Sequence, residues 1–132
     1  MKITLSLMPD RLAVCRLDVS SEIPSWEIDA GDFFSITKTG EELSVVCLES
    51  NVPHHIKAEK GWRGLKVEGP LDFGLTGILY SICKPLAEVK ISIFAISTYD
   101  TDYVLIKEDK LQDAMAALEN HFQINQNALY CS

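Results

Sequence analysis

The sequence is short of basic residues. Lysine and arginine number 12 against 19 aspartates and glutamates, a formal net charge of −7 over 132 residues. Binding duplex nucleic acid means displacing counterions with many cations, so nucleic acid is not an expected partner. An apolar run of about 18 residues or more is also missing, so no membrane span is expected. The opening MKITLSLMPDR is interrupted by Pro9 and Asp10 too soon for a secretory apolar region, and the expected address is the cytoplasm. No C-x-x-C occurs; Cys15, Cys47, Cys83 and Cys131 are scattered. They read as reduced thiols behaving as small hydrophobes. The only close histidines, His54 and His55, are adjacent and point apart on a strand, so no zinc site is expected. Catalytic signatures are absent too. There is no G-x-S-x-G elbow, and GPLDFGLTG lacks the lysine and the spacing of a phosphate cradle. The expectation is a protein without catalytic residues, cofactor or metal.

What is present is an ordinary globular balance, 47% hydrophobic and 23% charged. The length suits one compact unit or two very small fused ones. Residues 2–8 alternate loosely before a Pro9-Asp10 turn, and Leu12, Val14 and Leu17 mark a second strand. The stretch 20–31, with Pro24 and Trp26, has room only for a short helical turn. A hairpin is expected over 33–48, turning at Thr39-Gly40-Glu41, and a loop or short helix over 49–60. Leu65 and Val67 alternate with Lys66 and Glu68 as a strand with one wet face. Leu75, Ile78, Leu79, Ile82, Leu86 and Val89 then fall at helical spacing, with Pro85 inside the helix. Strands are expected over 91–98 and 102–107. A last helix starts near Asp109, placed to cap the Gln112 amide, and its stripe is Leu111, Met115, Leu118 and Phe122. A closing strand fits over 125–130.

The chain echoes itself. At an offset of 60 residues, Phe34-Ser35-Ile36-Thr37 lies over Phe94-Ala95-Ile96-Ser97, and Glu42 to Val46 lies over Asp102 to Ile106. A supersecondary unit used twice is the natural reading. Its order, strand, helix, strand, strand, helix and a closing strand, implies an α+β fold. Such a fold has antiparallel sheets with helices on one face, the ferredoxin-like arrangement. The expected division is a truncated unit over 1–60 and a complete one over 61–132.

The words WRGLKVEGPLDFGLTGIL, SIFAISTYDTDYVLIKE and FFSITKTGEELSVVC resemble the ACT domain, a small-molecule-binding module of this βαββαβ topology. More narrowly they resemble the tandem-ACT group that includes the CASTOR arginine sensors. The resemblance implies a regulatory, non-catalytic protein that binds an amino acid at an interface between ACT units. It also implies where the ligand sits. The loop between first strand and helix contributes Leu71, Asp72, Phe73, Gly74, Leu75 and Thr76. The second strand contributes Ser92, Ile93 and Phe94, and the hairpin after it Ser97, Thr98, Tyr99, Asp100, Thr101 and Asp102. A homodimer would rebuild the two pairs of units of the sensor, and a protein partner is implied but unidentified. The first unit departs from the pattern, with a truncated helix and no Gly-rich loop.

Chemically, both segments admit two readings. An amino acid is a zwitterion and needs amide donors for its carboxylate and an acceptor for its ammonium. Bare amides at a helix mouth serve the first need and Asp72 the second; equally, Asp72 or Thr76 simply caps the helix. At the hairpin tip, Asp100 and Asp102 suit a cationic side chain such as that of arginine or lysine, with Ser97 and Thr98 hydroxyls alongside. Turn chemistry alone also accounts for those residues. The alternative to a sensor is a dimerisation or interaction module with a degenerate site.

Overall fold

A computed structural model describes residues 3–69 and 77–126. They separate into two compact units, Asp10–Trp62 and Met1–Pro9 together with Arg63–Ser132. The first unit is a sheet in the order β3-β4-β2-β5, built from β2 (Leu12–Leu17), β3 (Ser35–Lys38), β4 (Leu43–Leu48) and the first half of β5 (Lys57–Val67). All of its pairs are antiparallel. Strand alternation sends Ala13 and Cys15 of β2 and Val45 and Cys47 of β4 to one face, where they form a fully buried cluster. Cys47 donates to Cys15, and this bond together with burial pushes the Cys47 thiol up from its ordinary range. The same bond lowers the Cys15 thiol, and both sulfurs are buried in the cluster.

No α-helix occurs in the first unit. Residues 18–34 run as turns, with Trp26 and Glu27 at positive φ, and the stretch after β4 makes only a 3-10 turn, Glu49–Asn51. The loop expected over 49–60 is shorter than the sequence suggests, because β5 begins at Lys57. What conceals this strand in the sequence is a bulge. Leu12 pairs with Trp62 but Val14 pairs with Glu59, so β5 holds one extra residue there. Gly61 sits in the bulge at φ 80°, and its amide donates to Glu49 Oε1 at 2.8 Å. A Cβ at Gly61 would meet nothing within 4 Å. Gly61→Ala should therefore lose only the left-handed backbone preference, about 1–2 kcal/mol in a denaturation experiment.

The second unit orders its strands β6-β7-β5-β1-β8, with β1 (Thr4–Leu7), β6 (Phe94–Ser97), β7 (Asp102–Lys107) and β8 (Gln123–Asn125). Its helices are α1 (Ile78–Glu88) and α2 (Leu111–Leu118). From β5 onward the order strand, helix, strand, strand, helix, strand is the ferredoxin-like ACT arrangement. Strand β1 is an addition to it: antiparallel to β5 through Leu5↔Val67 and Leu7↔Leu65, and parallel to β8 through Leu5↔Ile124. The N-terminal strand thus joins the second unit, where the sequence grouped it with residues 1–60. It also makes one parallel pair in a sheet expected to be antiparallel throughout. Burial gives the reason, since Leu5 and Leu7 enter the same apolar cluster as Leu65 and Val67.

Helix α1 buries Ile82, Pro85 and Leu86 and continues through Pro85. Its end corrects the expected stripe, for Val89 is exposed. The chain stops there in a left-handed cap: Lys90 has φ 61°, Lys90 N–H donates to the Ala87 carbonyl, and Ile91 N–H donates to that of Leu86. Helix α2 buries Leu111, Ala114, Met115 and Leu118, as its spacing predicts, and Phe122 beyond it is buried too. The Asp109 cap is not made; a 3-10 turn over Glu108–Lys110 leads into the helix instead. The closing strand comes earlier than residues 125–130, of which 127–130 lie outside the described residues. Among the described residues no helix is long and apolar enough to cross a membrane.

Candidate functional site

The hairpin β6–β7 carries most of the described candidate residues. Ser97 and Asp102 form its last rung, and the Ser97 hydroxyl donates to Asp102 Oδ1 at 2.5 Å. Four residues close the turn. Thr98 N–H and Thr98 Oγ1 both donate to the Thr101 carbonyl, at 2.8 and 3.0 Å, and Thr101 N–H donates back to Thr98 Oγ1. Tyr99 and Asp100 are exposed at the tip. Thr101 is the exception, only 5% exposed, with its hydroxyl donating to the Val67 carbonyl at 2.5 Å.

That last bond sets the geometry. Val67 ends β5, and the candidate stretch 71–76 follows it in the sequence. The tip is therefore tied to the strand end that precedes this stretch. Leu71, Asp72, Phe73, Gly74, Leu75 and Thr76 lie outside the described residues. Beyond them, Gly77 begins α1 at φ 78°, and both the amide and the hydroxyl of Ser81 donate to its carbonyl at 2.8 Å. Of the second-strand residues, Ser92 is exposed, Ile93 packs against the core and Phe94 is half-buried.

The first unit supplies an internal control. The rung Lys38↔Leu43 closes a four-residue turn, as the rung Ser97↔Asp102 does. The hairpins thus superpose at an offset of 59 residues, from Lys38 to Ser97, not the 60 that the sequence echo suggests. The one-residue difference matters because strand side chains alternate. At 59, buried Val45 and Cys47 correspond to buried Val104 and Ile106. At the same offset Thr39 corresponds to Thr98, and Thr39 makes the same turn, with its N–H bonded to the Glu42 carbonyl and its Oγ1 accepting from Glu42 N–H. The bonds of Thr98 are therefore turn structure. What distinguishes the second hairpin is Ser97, Asp102 and the buried Thr101, standing where the first has Lys38, Leu43 and Glu42. Among the described residues, Asp102 Oδ2 has no hydrogen-bond partner.

Sequence reasoning missed the Val67 carbonyl, since a main-chain oxygen leaves no side-chain signature. It also missed a cleft of about 340 Å3 in the second unit, lined by Ile3, Ile78, Tyr80, Lys84, His121 and Phe122 among others. Those residues come from α1 and from segments near both ends of the chain, which no single spacing brings together. No hairpin residue lines that cleft. No cluster of three metal-ligating side chains occurs among the described residues.

Comparison with known proteins agrees with the topology. A family profile of the ACT domain matches residues 57–120, from the first residue of β5 to just past α2. The chain belongs to the ACT-domain family. A separate profile of an N-terminal domain family matches residues 10–55, nearly the whole first unit. A crystal structure of a protein from Agobacterium tumefaciens is 35% identical, covers 96% of this ACT-domain chain and 94% of its own, and superposes with a TM-score of 0.88. The subunit 1 of the cytosolic arginine sensor for mTORC1 from Bos taurus is 33% identical over 70% of this chain, a match that spans 31% of the sensor. The chain thus accounts for about a third of that relative's length. The ligand-free regulatory subunit of aspartate kinase from Thermus thermophilus has the same fold, with a TM-score of 0.62 at 10% identity over 90% of this chain and 97% of its own.

Proposed function

We propose that this ACT-domain protein is a non-catalytic regulator that binds an amino acid in its second unit, between the β6–β7 hairpin and the loop that opens α1. The observation that carries the reading is the Thr101–Val67 bond, which ties the hairpin tip, one residue before Asp102, to the end of β5. Asp102 Oδ2 would accept from an ammonium or guanidinium, and the mouth of α1 would supply amide donors for a carboxylate. The similarity to a named arginine sensor favours a cationic side chain. We place the protein in the cytoplasm, as a homodimer whose ligand sits at the interface between ACT units, and it signals to a protein partner through the assembly that the ligand favours. No cofactor enters this scheme.

One observation favours the rival reading, an interaction module with a degenerate site. The hydroxyls of Ser97, Thr98 and Thr101 are all engaged within the protein. Isothermal titration and thermal shift against the common amino acids separate the two. Arginine or lysine should release heat and raise Tm; a ligand at a hundred times its Kd stabilises by about 2.7 kcal/mol. Asp102→Asn keeps a hydrogen-bonding side chain but loses the charge, and should weaken that binding about tenfold. Silence with every amino acid would leave the interaction module standing.

A further inference from the structure

The cleft of about 340 Å3 in the second unit has no hairpin residue in its lining. We propose that it is a separate binding site, for an α-amino acid with an aliphatic side chain. Its volume lies at the small end of the range for ligand pockets, about 300–1,000 Å3, which suits a ligand of that size.

One wall is a single side of α1. Ile78, Ser81, Pro85 and Glu88 follow one another at steps of three or four residues, and Lys84 lies beside them. Ile3, His121 and Phe122 supply the other wall. Main-chain bonds fix that wall. Gln123 N–H donates to the Ile3 carbonyl at 3.0 Å, and the amides of His121 and Phe122 both donate to the Leu118 carbonyl at 2.9 Å. Ile3 and Ile78 pack against the core cluster, and Phe122 belongs to it. The apolar part of the cleft is thus preformed, and an aliphatic side chain gains by leaving water there.

The proline supplies the polar end. An α-helix bonds each carbonyl to the amide four residues on, and Pro85 has no N–H. The Ser81 carbonyl therefore lacks its helical partner, on the side of α1 that lines the cleft. The Ser81 hydroxyl is engaged elsewhere, donating to the Gly77 carbonyl at 2.8 Å. Next to the proline, Lys84 Nζ and Glu88 Oε2 pair at 3.2 Å, with side chains 55% and 64% exposed. Among the described residues Glu88 Oε1 has no hydrogen-bond partner. This end of the cleft thus offers two acceptors, the Ser81 carbonyl and Glu88, and a cation, Lys84. A zwitterion answers both. Its ammonium donates to the Ser81 carbonyl and Glu88, and its carboxylate accepts from Lys84. An exposed ion pair contributes little by itself, so sharing it with a ligand sacrifices little. A simple amine would face the Lys84 charge uncompensated, and a simple acid would face that of Glu88.

The test uses the whole chain and follows the Ile78 methyl resonances, assigned with Ile78→Val. The probes are L-leucine, isoamylamine, isocaproate and L-arginine. L-leucine should shift those resonances saturably. Isoamylamine lacks the carboxylate and isocaproate lacks the ammonium; each should bind at least about tenfold more weakly. L-arginine should be weaker by a similar factor, because its charged tail meets apolar walls. Pro85→Ala restores an N–H for the Ser81 carbonyl. It should lower the ratio of L-leucine to isocaproate affinity about tenfold, a readout that lost packing alone would not move. Lys84→Gln should weaken L-leucine about tenfold and leave isoamylamine undiminished. Asp102→Asn should leave the L-leucine titration unaltered, which keeps this site distinct from the hairpin site. The proposal is overturned by no saturable shift with L-leucine, or by equal affinity for either analogue or for L-arginine. An unchanged ratio in Pro85→Ala, parental L-leucine affinity in Lys84→Gln, or a loss in Asp102→Asn overturns it as well.

Discussion

Leu86→Ala should cost about 2–5 kcal/mol of folding free energy, the range for emptying a leucine-sized space in a packed core. Leu86 is fully buried and sits on the inner face of α1 with Ile82, in one cluster with Leu65, Val104 and Ile106. Its carbonyl also accepts the Ile91 amide that ends the helix. Domains of this size are stable by only about 5–15 kcal/mol, so the loss is a large fraction of the total. Thermal denaturation should show Tm falling by about 10 °C. Leu86→Met, which nearly keeps the volume, should lose less than about 1.5 kcal/mol. If the alanine variant melted within a degree or two of the parent, α1 would not be anchored as described.

The second large effect is expected at Thr101. Thr101→Val keeps the shape of a side chain that is 5% exposed but removes the donor to the Val67 carbonyl. A buried acceptor left unpaired costs about 1–3 kcal/mol. The turn itself should survive, because Thr98 and the Thr101 main chain hold it. The tip would lose its tie to the end of β5. Hydrogen exchange should therefore rise at 98–102, and amino-acid affinity should fall more than the stability loss alone accounts for. Thr98→Ala and Thr39→Ala give the control. They remove equivalent turn bonds in the two hairpins, so both should lower stability modestly, and only the former can touch the candidate site. Equal ligand affinity in Thr101→Val and the parent would break the link between this anchor and binding.

The first hairpin shows which bonds of the second need no ligand. Read singly, Thr98 looks as much like a ligand contact as Thr101 or Asp102 does. The first unit keeps the threonine turn without the acidic rung, so the turn needs no ligand to explain it. The residues left over are Ser97, Thr101 and Asp102, and only their partners distinguish them. Thr101 reaches 34 positions back along the chain to Val67. No local pattern encodes such a bond, which is why the sequence suggested a wider set.

Much was already legible without coordinates. Periodicity located α1, α2, the two hairpins and the buried stripe Leu111–Met115–Leu118, because alternation and helical spacing are local properties of adjacent residues. The motifs placed the chain in the ACT-domain family and pointed to the hairpin and loop of the second unit. Tertiary structure alone decided the pairings that cross the chain. It took Thr4–Leu7 out of the first unit and set it between β5 and β8, since Leu5 and Leu7 find their buried partners some sixty residues away. It hid a bulge at Gly61 that lengthens β5, and it shifted the internal repeat by one residue. A short strand is apolar in the same way whichever neighbour it joins. Its partner and register are chosen by where the whole core can close, and that choice is not written in any single segment.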